Sequence, residues 1–151
     1  MGNICRSPAG ENIFRHRVTE AGLEKEIRID SAGTHNYHIG KGPDRRMCAT
    51  LQGRGIASDG RARHFTAQDF EDFDLILTMD DDSHARVTAL DPDGGYRDKV
   101  KNFTSFCTRS DNQQTEVPDP YYGGTDGFEL VADMLEDGCA EIIRRYQAGA
   151  L

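Results

Sequence analysis

Closely spaced cysteines, long apolar runs and an excess of positive charge are all wanting in this sequence of 151 residues. Its four cysteines, Cys5, Cys48, Cys107 and Cys139, lie far apart, and none forms a C-x-x-C pair, which argues against a zinc ribbon and a thioredoxin-like motif. Reduced thiols in a cytoplasmic protein are the expectation. No apolar stretch approaches the roughly 20 residues of a membrane span. The amino terminus lacks the basic-then-apolar pattern of a secretory leader. A formal net charge of −8 and a pI near 5.0 disfavour a nucleic-acid groove or an anionic membrane surface as the main partner. Any anion-binding site must therefore be local. The five histidines, His16, His35, His38, His64 and His84, form no metal-ligand pattern.

What is present fits one domain spanning residues 1–151, since a chain of this length can bury a proper core. Ser7-Pro8 followed by AGENIFRHRVTEAG predicts a helix capped by Ser7, with Pro8 in its first turn, Ile13, Phe14, Val18 and Ala21 as its apolar positions, and Gly22 as its stop. Residues 27–32 (IRIDSA) alternate like a short strand and run into a turn-rich loop over residues 33–42. Residues 43–55 predict a second helix, with Met47 and Leu51 on one face, and Thr66 to Asp69 read as a capping box opening a third. Residues 74–79 (DLILTM) are the most strand-like run, apolar as a strand covered on both faces should be. A helix over residues 81–90, a weaker strand over 100–103 and an amphipathic helix from Phe128 complete the order. Such alternation implies a parallel sheet covered by helices, with ligands at the carboxyl ends of the strands.

Two features stand out at the amino terminus. A helix beginning at Ser7 after a loop should be fed by a strand, yet only six residues precede it. The loop itself, Gly2-Asn3-Ile4-Cys5-Arg6-Ser7, combines glycine freedom, an arginine and a helix amino terminus. Its backbone N–H groups can converge on one point, where the helix dipole also favours negative charge. Arg6 adds a planar fork able to hold two phosphoryl oxygens at once.

The residues from Gly2 to Pro8 (GNICRSP) resemble the phosphate loop of low-molecular-weight protein-tyrosine-phosphatases, C-L-G-N-I-C-R-S-P. The resemblance extends to DSAGT at 30–34, P-D-x-R at 43–46, D-x-I-L-x-M-D at 74–80 and VPDPYYG at 117–123, in the family's order. It implies an α/β flavodoxin-like three-layer sandwich with a four-stranded parallel sheet, and hydrolysis of phosphotyrosine proteins or small aryl phosphates through a cysteinyl-phosphate, releasing phosphate. No metal or organic cofactor is implied. Arg6 would stabilise the equatorial oxygens, and Asp119, presented between Pro118 and Pro120, would protonate the leaving phenolate and later activate water. Met1, Gly2, Asn3, Ile4, Cys5 and Ser7 would line the phosphate site. Tyr37, Tyr121 and Tyr122 would line the cleft, with Ser31 supporting the loop.

The pattern breaks at the nucleophile. In the family it stands six positions before the loop arginine, and counting back from Arg6 leads to the position before Met1. Cys5 cannot replace it, because Arg6 follows immediately. Cys48 with Arg54 and Cys139 with Arg145 meet the bare spacing, but both lie in helix-forming segments. A late-starting or truncated sequence is the favoured explanation, because the absent strand would be the sheet's central one and its loss should expose the neighbouring strands. A natural remnant that binds phosphate or phosphotyrosine without turnover, and a fold that uses another strand, are the alternatives. Arsenate reduction on the same fold is a weaker rival, since no close cysteine pair offers a disulfide relay.

Overall fold

The computed structural model describes residues 2–112, 114–121 and 123–151. Helix α1 spans Arg6–Glu20, two residues earlier than a Ser7 cap implies. Cys5 stands at its N-cap without a side-chain cap bond, so Ser7 is inside the first turn and is not the cap. Pro8 is tolerated there because first-turn N–H groups have no intrahelical acceptor. At the other end Gly22 adopts φ +71°, and the N–H groups of Gly22 and Leu23 bond to the carbonyls of Thr19 and Val18.

Helix α2 (Arg45–Gln52) is capped by Asp44, whose carboxylate accepts the Arg46 N–H. Helix α3 (Gln68–Asp72) keeps the acid half of the expected box, with the Asp69 carboxylate accepting the Thr66 N–H at 2.9 Å. Strand β1 (Ile76–Thr78) leads into α4 (Asp81–Thr88), where Asp80 is the cap, and strand β2 (Val100–Asn102) follows. The closing helix α5 spans Thr125–Gln147, bracketing the periodicity that begins at Phe128.

The parallel ladder pairs Ile76 with Val100 and Thr78 with Asn102. Among the described residues this two-stranded ladder and one isolated parallel bridge, Gly33 to His64, make up the sheet. The expected four strands are not seen. Residues 27–32, expected as a strand, form no ladder among the described residues, because a strand needs a partner edge within hydrogen-bonding reach. The layered α/β plan is nonetheless present. Helices α1 and α5 pack together over Ile13, Leu135 and Ile142, with Met47 and Leu51 of α2 in the same core. Gly138 permits that packing, since a Cβ there would fall 2.4 Å from the Phe103 ring. A second cluster on the other face joins Phe65, Phe70, Ile76, Val87 and Val100, with Tyr96 stacked on Phe70.

Candidate functional site

The loop before α1 is shaped by Asn3, a buried residue with φ +59°, the left-handed region that asparagine tolerates better than most. Its side-chain amide donates to the hydroxyls of Ser31 (2.9 Å) and Ser7 (3.2 Å), and its carbonyl oxygen accepts the Arg63 N–H at 3.0 Å. The Ile4 carbonyl in turn accepts the Asp44 N–H at 2.6 Å. Three segments distant in sequence thus pin one loop. Gly2 has no room for a side chain, because a Cβ would lie 2.4 Å from the His38 ring.

Arg6 is only 6 % exposed and projects beneath this loop toward two other segments. Its Nη1 donates to the Val117 carbonyl at 2.8 Å and meets the Asp80 carboxylate at 2.8 Å, while Nη2 lies 3.9 Å from the Asp119 carboxylate. Asp80 is a half-buried acid whose pKa is nevertheless lowered. Burial would raise it, but the Ser83 N–H at 2.7 Å and the Arg6 guanidinium outweigh that effect. The Asp119 side chain is 33 % exposed, so it can meet both Arg6 and a ligand in the cleft. Its Oδ1 accepts the Tyr121 N–H at 3.0 Å, a tight turn suited to the flanking prolines.

Arg46 clamps that turn. It donates to the Tyr121 carbonyl at 2.8 Å, pairs with Asp44 at 3.0 Å and lies over the rings of Phe128 and Tyr121. Tyr37, 70 % exposed and stacked on His35, and Tyr121 stand at the mouth of the same cavity, whose wall includes Gly2, Arg6, Ser7 and Asp119. The structure therefore brings together Gly2, Asn3, Ile4, Cys5, Arg6, Ser7, Ser31, Tyr37, Asp119 and Tyr121. Met1 and Tyr122, expected in the site, lie outside the described residues.

Cys5 sits in the loop as a thiol. Burial pushes its pKa up to about 12, with Asp44 and Asp119 adding to the rise and Arg6 opposing it. Cys107 is raised to about 11 by burial and by Asp137, and the fully buried Cys139 is driven higher still by desolvation. Cys48, half-buried on α2, directs its sulfur at the Pro43 carbonyl. None of the four is arranged as a nucleophile over the loop.

Three contributors to the site were not singled out by sequence reasoning. Asp80 had a legible signal, an acid between a strand's carboxyl end and a helix start. Arg46 lay within a matched segment, but its clamp on Tyr121 depends on tertiary contact. Arg63, which pairs with Asp30 and forks onto Asp69 while its N–H holds Asn3, carries no local signal.

Comparison with known proteins gives the family. The model of the family described as "Low molecular weight phosphotyrosine protein phosphatase" matches residues 1–149. The chain belongs to that family. A low molecular weight protein-tyrosine-phosphatase of Streptomyces coelicolor is 41 % identical over 135 residues, covering 89 % of this chain and 82 % of the relative. The human low molecular weight phosphotyrosine protein phosphatase is 34 % identical over 146 residues, covering 96 % and 90 %. The crystal structure of a protein tyrosine phosphatase from Entamoeba histolytica superposes with a TM-score of 0.94 at 40 % identity, covering 100 % of this chain and 95 % of that one. The α/β fold of these low molecular weight phosphatases is thus the fold of this chain. No described helix is long and apolar enough to cross a membrane.

Proposed function

We propose that this chain carries the phosphate cradle, the arginine and the general acid of a phosphotyrosine hydrolase, and that its nucleophile is a cysteine at the position preceding Met1. One observation carries the reading. The Arg6 guanidinium beneath the loop and the Asp119 carboxyl approach to 3.9 Å, which sets an anion-binding fork and an acid side by side on the wall of one cavity.

A phosphotyrosine dianion entering between Tyr37 and Tyr121 would place its phosphoryl group over residues 2–7. The loop amides and the amino terminus of α1 would hold the equatorial oxygens. Nη1 of Arg6 is anchored on Val117 and Asp80, leaving Nη2 to face the ligand. The same positive field would keep the upstream cysteine as thiolate at neutral pH. Attack of sulfur on phosphorus breaks the bond to the phenolic oxygen, which takes its proton from Asp119. Asp119, then a carboxylate, draws a proton from water, whose oxygen bonds to phosphorus as the S–P bond breaks, releasing phosphate and returning the cysteine as thiolate. Charge developing on the equatorial oxygens meets prepositioned donors throughout. The chemistry calls on no metal or organic cofactor, and reduced cysteine suits a cytoplasmic setting.

The test is hydrolysis of p-nitrophenyl phosphate. A chain extended upstream to include the preceding cysteine should turn the substrate over, and the 151-residue chain should not. In the extended chain, Asp119→Asn should lower kcat by about 10²- to 10⁴-fold, the usual contribution of a general acid. Robust turnover by the 151-residue chain would refute the assignment of the nucleophile. Tight phosphate binding without turnover by the extended chain would instead assign a binding module.

A further inference from the structure

The aromatic wall of the cleft stands on a loop with little backbone support. Among the described residues, backbone hydrogen bonds tie this loop to other segments at Gly33, Gly40 and Lys41, and none does so from residues 34–39. Tyr37, 70 % exposed within that span, must therefore be placed by side chains. Its ring stacks on His35, with centroids 5.1 Å apart and planes 12° from parallel, and meets the His38 ring edge-on at 6.5 Å. Near-parallel rings at the first separation are offset, the arrangement that aromatic pairs prefer.

Both histidines are fixed in turn. His38 lies against the phosphate loop, since a Cβ on Gly2 would fall 2.4 Å from its ring. The His35 side chain is 15 % exposed, and its Nε2 lies 3.9 Å from the Asp82 carboxylate, which Arg86 holds at 2.9 Å. Burial, with Arg86 adding to it and Asp82 opposing, lowers the His35 pKa, so the ring is a neutral imidazole at pH 7 and offers an aromatic face. Asp82 stands in the first turn of α4, two residues after the Asp80 cap that pairs with Arg6. One helix end thus sets the arginine of the cradle and, through His35, the ring beside it. A tyrosine ordered before the ligand arrives spares the ligand the cost of ordering it.

We propose that His35 is a positioning residue for substrate selection. Its stack holds Tyr37 ready as a wall for a flat leaving group, so the preference for aryl over alkyl phosphoesters depends on His35. The histidine acts through the tyrosine, because the cavity wall includes Thr34, Tyr37 and His38 but not His35. This rests on the function proposed above, in which Tyr37 lines the cleft.

The experiment titrates the 151-residue chain calorimetrically with phenylphosphonate, methylphosphonate and inorganic phosphate, none of which needs a nucleophile to bind. The parent should prefer phenylphosphonate to methylphosphonate. His35→Ala should cut that ratio by about two- to tenfold, the worth of one stacked aromatic pair, and leave phosphate affinity unchanged. His35→Phe, which keeps an aromatic face without ring nitrogens, should restore the ratio. Tyr37→Ala should lose the preference, and adding His35→Ala to it should change nothing further, because the effect runs through the tyrosine. In the chain extended upstream, His35→Ala should raise KM for p-nitrophenyl phosphate by the same factor and keep kcat within about twofold. A ratio unmoved by His35→Ala, a ratio lowered equally by His35→Phe, additive losses in the double variant, or a fall in kcat at constant KM would each overturn the proposal and leave the cradle standing. Failure of all three ligands to bind would overturn the cradle and the proposal with it.

Discussion

Replacing Asp80 by asparagine separates two roles that one carboxylate combines. Asparagine caps helices about as well as aspartate, so the bond from the Ser83 N–H should survive. What is lost is the negative charge 2.8 Å from Arg6, in a pair whose side chains are 6 % and 12 % exposed. Removing one partner of a buried pair costs about 3–5 kcal/mol, because the other charge is left uncompensated. Arg6 keeps the Val117 carbonyl and lies 3.9 Å from Asp119, so the low end, about 3 kcal/mol, applies. With a urea slope of about 2 kcal/mol/M, the midpoint should fall by about 1.5 M at pH 7. The loss should persist at high salt, since buried pairs are weakly screened.

The pH dependence has a defined sign. Asp80 has a lowered folded pKa, so its contribution is present above the unfolded carboxylate value of about 4 and fades as pH falls through the folded one. The parent should therefore lose part of its advantage over Asp80→Asn below about pH 4. Freed of its partner, Arg6 should also hold phosphate more tightly. A midpoint at pH 7 unchanged by Asp80→Asn would show that the pair stabilises nothing and that Arg6 is held by Val117 alone.

Other outcomes are as definite. Asn3→Gly removes three hydrogen bonds worth about 1 kcal/mol each, while Asn3→Ala adds about 1–2 kcal/mol of left-handed strain, so chemical unfolding should rank asparagine above glycine above alanine. Ellman's reagent at pH 7.5 should find one fast thiol, Cys48, because Cys5, Cys107 and Cys139 are buried with raised pKa values. Glu11 is pushed up to about 7 by burial, against Arg15 and with help from Asp30. An acid raised in this way contributes stability that is lost as pH rises through about 7, so Glu11→Gln should be near neutral at pH 5 and stabilising by about 1–3 kcal/mol at pH 8, read by denaturant unfolding.

Much of this protein could be read from its local chemistry. Gly22 stops α1, Met47 and Leu51 mark the buried face of α2, and the periodicity from Phe128 marks α5, because capping, turns and helical spacing act over a few residues. The proposal that residues 2–7 form an anion cradle rests on the same kind of local chemistry. The sequence could not show that Arg6 lies between Asp80, Val117 and Asp119, or that Arg63 and Ser31 hold Asn3, since those contacts join segments far apart along the chain. The strand expected at residues 27–32 shows the same limit. Its alternation is a local property, but a strand exists only where a neighbouring backbone supplies the other half of its hydrogen bonds, and tertiary structure alone decides that.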